Sequence, residues 1–517
     1  MSSNLDRELV FWEFSDKPLH QRLELVAPPF GEPTDPFRQL NYIQSHVAEL
    51  GCKTILLEQH YIDRHYIEDH SIFYSKNYRH LPNYCRRLHF FNLEPSAVKK
   101  RFEEIITAGK LEGISPYKRE GALFSNDAYL GFCVIKPLDG SPVGRTVLRT
   151  YGPQAEGCFE RRFASTRKYK VHIAGSELKI YGLGFQQQDV GVSACATTAL
   201  WSSLQQGRQF ENIRPATPAQ ITLFASQYSL PFGRPLPSEG LSVGQMCQAV
   251  QALGASPNMF RVFKEFESAR SYIHAATLSG FAPVLIIQKK DNPNENHAVT
   301  VTGVKIDSSF DPKRAPTALV DRAAELTAAY IHDDRVGPYI RADVREENHS
   351  LYFDIDYRGA YKPETWLLTH ILIPLHSKIR TSFTGLRRLT LKVIRECAQE
   401  MKVILSAGQT EFPRISFQMR IQRAIDYIED LIYDKDSLSP KKLYEVFSTI
   451  PLSRYVGVIR IESEPFGSFD LLIDTTSTIR NVNYLGVVFK GDHHTHSKHF
   501  AEWLEGLCKC KTVIEIQ

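Results

Sequence analysis

The chain has no long apolar run. None of its windows approaches the roughly 20 consecutive apolar residues that a membrane-crossing helix needs, so no membrane partner is expected. Its first residues, MSSNLDRELVFWEF, mix acids and bases with no apolar segment behind them, unlike a secretory signal, and a cytoplasmic protein is expected. A dominant charge is missing as well. A net charge of +4 over 517 residues is too weak to gather nucleic acid or an anionic membrane, and no nucleic-acid partner is expected. Paired cysteines are also lacking. The nine, at positions 52, 85, 133, 158, 195, 247, 397, 508 and 510, are odd in number and scattered. That excludes the dense disulfide framework of a small secreted domain and points to reduced, mostly buried thiols.

What is present is length and ordinary globular composition, enough for two or three packed units rather than a single core. Residues 1–150 alternate helical and extended patterns, with helices expected at 36–50 and 95–109, and read as an α/β domain of unknown role. YLGFCVIKPLDGSPVGRT (129–146) reads as strand, turn and second short segment. Near the C-terminus, amphipathic helices are expected at 382–405 (Leu386, Leu389, Val393, Ile394) and 415–434 (Ile421, Ile425, Ile428, Ile432). A short helix at 439–448 and the strands RYVGVIRIES, DLLIDTT and YLGVVF follow, so residues 381–517 read as a helical and then α+β domain.

Two histidine-rich stretches raise the question of metal. EQHYIDRHYIEDH (58–70) offers His60, His65, Asp69 and His70, and GDHHTHSKHF (491–500) offers His493, His494, His496 and His499 with Cys508 and Cys510 close behind. Neither shows the paired ligand intervals of a zinc motif, so half-buried packing residues and a solvated turn are the expected readings, with no metal and no cofactor.

The middle of the chain carries the chemistry. FQQQDVGVSACATTALW (185–201) places a run of glutamines ahead of Cys195, and ATTALWSSLQQ after it has helical apolar spacing, so the cysteine sits at a helix start. Unpaired backbone N–H groups and the dipole there favour a thiolate, whereas a lone cysteine is more commonly just a small buried apolar side chain. GFAPVLIIQKKDNPNENHAVTVTGV (280–304) reads as two strands joined by a polar loop, the second opening with His297. A histidine held at a strand mouth suits a general base. YIHDD (330–334) ends a further strand with two carboxylates, Asp333 and Asp334, either of which can orient an imidazole. Asn296 reads as a loop residue, and THILIPLHSKIR (369–380) as a strand closing the sheet.

The stretches FQQQDVGVSACATTAL, PSEGLSVGQMCQAVQALG (237–254), GFAPVLII, NHAVTVTGV and YIHDDRVGPY together resemble a papain-like cysteine peptidase, in particular the bacterial branch that removes double-glycine leader peptides. The resemblance covers roughly residues 180–345, about a third of the chain. It implies an α+β fold for residues 151–380, in which a helix carrying the cysteine packs on an antiparallel sheet carrying His and Asp. It further implies a cysteine peptidase with Cys195 as nucleophile, His297 as base, Asp333 as orienting acid and Gln188 or Gln187 as oxyanion donor. Gln188 precedes Cys195 by seven positions, slightly more than usual in the family, and Ala and Thr follow the cysteine where Gly is frequent. The implied partners are a peptide or protein substrate and a protein regulator bound through the N- or C-terminal region. The same groups serve deamidation or acyl transfer, and an inactive papain-like binding protein or a metal-dependent enzyme are the other classes weighed.

Overall fold

In the computed structural model, residues 8–27, 36–76, 80–112, 128–155, 157–189, 194–211, 216–227, 240–262, 266–315, 317–359, 362–405, 414–433, 440–449, 452–463, 466–477, 484–490, 495–508 and 513–516 are described. The fold is mixed α+β, built on antiparallel sheets.

The first sheet takes its five strands in chain order: β1 (Leu9–Glu13), β2 (Thr54–Tyr61), β3 (Cys85–Phe91), β4 (Tyr129–Ile135) and β5 (Val143–Leu148). Every residue of β4 is buried, because the strand is central and covered on both faces. The helix Arg38–Glu49 buries Leu40, Ile43 and Val47, which join Ile55, Leu57, Leu88 and Phe90 of this sheet in one apolar cluster.

β6 (Phe159–Arg162) precedes a two-stranded hairpin, β7 (Arg167–Ile173) and β8 (Ser176–Gly182), whose alternating burial is that of a ribbon with one face packed. After the Cys195–Glu211 helix come β9 (Ala255–Arg261), β10 (Val284–Lys289), β11 (Asn296–Asp307), β12 (Leu319–Asp321), β13 (Leu326–Asp333), β14 (Gly337–Glu347), β15 (Ser350–Ile355) and β16 (Glu364–His376). Six of these close a ring in the order β10, β11, β13, β14, β15, β16 and back to β10. The 13-residue β16 makes closure possible: its start pairs with β15, its middle with β10 and its end with β9. β11 is buried almost throughout because both its faces are used. Val299 and Val301 join the large central core, while Ala298 packs with Ala196, Ala199, Leu200 and Leu204 of the Cys195 helix.

The third sheet comprises β17 (Ile415–Arg423), β18 (Tyr455–Ser463), β19 (Gly467–Asp474), β20 (Tyr484–Lys490) and β21 (Val513–Ile516), with β12 added parallel to β17. The expected unit boundary near residue 380 is therefore crossed: a strand from inside the middle region completes the C-terminal sheet. The helix Phe383–Leu405 buries Val393, Ile394, Cys397 and Met401 in the same core that holds the ring.

One expected element is corrected. Residues 415–423 form a strand, and the helix occupies only Ala424–Tyr433. Buried Ile415, Phe417, Met419 and Ile421 recur every second residue, so Ile421 belongs to a period-two pattern and not to the helical face of Ile425, Ile428 and Ile432. The histidine-rich turn is also altered, since a helix, Thr495–Cys508, begins within it; His493, His494 and Cys510 lie outside the described residues. No helix among the described residues is long and apolar enough to cross a membrane.

The N-terminal helix presses on the turn between β13 and β14. A Cβ on Gly337 would lie 2.2 Å from the buried Tyr42 ring, a distance no real contact reaches. Gly337→Ala is accordingly expected to lower stability by about 1–3 kcal/mol through overpacking. A fall in unfolding midpoint, read by circular dichroism, checks this, and an unchanged midpoint would contradict the packing described.

Candidate active site

Cys195 opens its helix, and the first amide to bond back along it is Thr198 N–H, which donates to Ala194 C=O at 3.1 Å. The first helical amides thus have no intrahelical acceptor and converge at the end where the half-buried thiol sits. The helix is fixed from three sides. Thr300 Oγ1 of β11 donates to Ala199 C=O at 2.7 Å, Ser202 Oγ donates to Gly184 C=O at 2.7 Å, and the buried Trp201 Nε1 donates to His65 Nδ1 at 3.2 Å.

Neighbouring antiparallel strands bring the base and the acid together. β11 and β13 pair with Thr300 opposite His332, so the mouth of β11 lies beside the end of β13. His297 Nε2 is 3.0 Å from Asp333 Oδ1, and the imidazole is within hydrogen-bonding reach of the Cys195 side chain. With Nε2 on the acid, Nδ1 is the nitrogen left for sulfur. Cys195, His297 and Asp333, distant in sequence, therefore form one contiguous line.

Asp333 is fully buried and richly supplied with donors. Arg335 gives its backbone N–H at 3.0 Å, Nε at 3.2 Å and Nη2 at 2.9 Å, and Tyr357 adds its hydroxyl at 3.4 Å. Behind Arg335 stands Glu364, which also accepts from Tyr357 Oη at 3.1 Å and Trp366 Nε1 at 3.1 Å and pairs with Lys289 at 2.7 Å. Burial works against an ionised Asp333, yet the charges of Arg335 and His297 hold it far below the usual carboxylate range. Burial likewise works against an ionised imidazole, but Asp333 outweighs it, with Arg335 opposing, and His297 is raised to about 10. The imidazole is therefore an imidazolium at neutral pH.

The three glutamines separate by geometry. Gln187 is committed elsewhere: its Nε2 donates to Gly140 C=O at 3.0 Å and its Oε1 accepts from Val143 N–H at 3.2 Å, fastening the segment to the first sheet. Gln186 is buried, with its amide nitrogen sealed from solvent. Gln188 is exposed. Next to them, buried Asp189 pairs with buried Lys136 at 3.1 Å and anchors the approach to the nucleophile.

The groups of the 58–70 stretch diverge. His60 pairs with Glu8, His65 accepts from Trp201, Asp69 accepts from Ala219 N–H, and His70 reaches Leu81 C=O. Among the described residues, only His297, Asp333 and Asp334 bring three potential ligand atoms within 4.8 Å of one another. Arg335 already occupies Asp333, so the cation of this cluster is a guanidinium.

Arg335, Tyr357 and Glu364 were not singled out from the sequence. The Asp-Asp-Arg order of 333–335 was the available signal for Arg335, since a side chain two residues on can fold back onto a carboxylate; Tyr357 and Glu364 offered none. Known protein families and curated proteins provide no match to this chain.

The raised pKa of His297 fixes the sign of a stability effect. The imidazolium contributes in full below the ordinary imidazole pKa of about 6.5, and the contribution is lost as pH rises through about 10. Asp333→Asn is expected to reverse the shift, because burial then dominates and neutralises the ring. Nitrogen-15 NMR of the imidazole at pH 8 reads this directly: protonated in the wild type, neutral in the variant.

Proposed function

We propose that this protein is a papain-like thiol enzyme, acting as a cysteine peptidase on a peptide or protein substrate. The observation that carries the reading is His297, held at Nε2 by Asp333 and interacting with the Cys195 side chain. A helix-start cysteine facing an imidazole held by a buried acid is the arrangement of a Cys–His–acid nucleophilic centre. The helix packed on an antiparallel ring that supplies His and Asp further supports the family reading.

In the proposed mechanism the Cys195 thiolate attacks the substrate carbonyl, and the tetrahedral oxyanion receives hydrogen bonds from backbone amides of the Cys195 helix start and from a glutamine. Gln187 has both ends of its amide engaged and Gln186 is sealed away, so the donor assigned is the exposed Gln188. His297 Nδ1–H then protonates the leaving amine, a thioester forms, and water activated by the now neutral imidazole releases the acid. Asp333 holds the ring through both half-reactions. We place the enzyme in the cytoplasm, with the N- and C-terminal regions available to a protein regulator.

Cys195 is expected to react with iodoacetamide selectively over the other cysteines at pH 6, as an activated thiol does. Cys195→Ala should abolish peptide hydrolysis with the fold intact, and His297→Ala should remove the selective alkylation. Uniform labelling of all accessible thiols would defeat the proposal. Gln188→Ala is expected to lower kcat by about 10²–10³-fold, the usual effect of losing one oxyanion donor, while leaving the alkylation rate unchanged. Gln187→Ala should instead lower thermal stability.

A further inference from the structure

The mechanism above uses one of two adjacent carboxylates. Asp334 is 3% exposed, and its Oδ1 lies 3.5 Å from His297 Nε2, on the same side of the ring as Asp333. Among the described residues, neither of its oxygens accepts a hydrogen bond from another residue. Its backbone carbonyl is held instead: Gln39 Nε2 donates to it at 3.1 Å and to the Arg335 carbonyl at 2.9 Å. The side chain is thus kept in place by its main chain and left without donors, although a buried acid normally gathers them.

The neighbours explain what such a group does. Asp333 faces a guanidinium as well as the imidazole, so Arg335 opposes part of its pull on the His297 proton. Asp334 makes no ion pair with Arg335 and faces the imidazole as its cationic partner. We propose that Asp334 is a positioning residue for His297, adding a second negative charge beside Asp333 that extends how far into alkaline pH the imidazolium persists. This rests on reading the site as a thiolate–imidazolium centre.

The charged and titratable groups around Asp334 are few. Among the described residues, β11 presents His297, its own turn presents Asp333 and Arg335, the Cys195 helix presents the thiol beyond the imidazole, and the helix Arg38–Glu49 presents the neutral amide of Gln39. Burial and Asp333 raise the Asp334 carboxyl to about 6, with His297 and Arg335 opposing. It therefore ionises as pH rises through about 6, and from there upward it tightens the hold of His297 on its proton.

The test is an NMR titration of the His297 ring nitrogens in the full chain, for the wild type and Asp334→Asn. The His297 midpoint is expected to fall by about one unit or more in the variant, the usual effect of losing a facing charge, and the alkaline limb of kcat/KM should fall with it. A packing role would lower kcat at all pH values and leave both midpoints where they were; that result overturns the proposal. If Asp334→Asn does not fold, the wild type alone decides: the His297 resonances must show a second inflection near pH 6, where Asp334 titrates, and its absence counts against the proposal. A neutral His297 at pH 7 in the wild type would instead defeat the thiolate–imidazolium reading itself, so the two failures are distinguishable.

Discussion

The contact between His297 and Asp333 is the constraint on which the site depends. A buried imidazolium and a buried carboxylate are each costly alone, and either would discharge by moving a proton if its partner were lost. Together at 3.0 Å they remain charged, provided that the acid's other lone pairs are filled. Arg335 and Tyr357 fill them, and Glu364 in turn holds Arg335 and Tyr357. Charge is therefore passed outward from the reacting atoms until it reaches Lys289 and Glu295, which are only partly buried. Each layer exists to make the one inside it affordable.

The ring of strands is what allows this nesting. His297, Asp333, Arg335, Tyr357 and Glu364 lie on or just beyond strand ends that meet at one rim, and closure by β16 leaves that rim no freedom to splay. The Cys195 helix lies against the outside of β11 and is tied to it by Thr300, three residues beyond the base it must face. A single strand thus sets His297 on one side and the position of Cys195 on the other.

Much of this could be read from local pattern. Cys195 at a helix start, His297 opening an apolar strand and Asp333 ending another are short-range features that apolar spacing exposes, and the 383–405 helix has a plain amphipathic stripe. What stayed hidden depends on pairing across the chain. The β10–β16 contact that closes the ring joins residues 77 to 88 positions apart, and nothing in either strand names its partner. Gln39 reaches a turn nearly 300 residues away, and Gln187 proved to be a fastening to Gly140 and Val143. At 415–423, isoleucines in a mixed pattern were assigned the helical period when the strand period governed.

The brace from Gln39 ties the assembly of the site to distant parts of the chain. The line of Cys195, His297 and Asp333 takes its parts from the middle of the chain, but the turn holding the acid has its carbonyls tied down by a helix near the N-terminus, and Tyr42 of that helix fills the space beside Gly337. Arg335, which holds the acid, is itself held by Glu364, further along the chain. A growing chain therefore cannot assemble this cluster until residues from 39 to 364 have met.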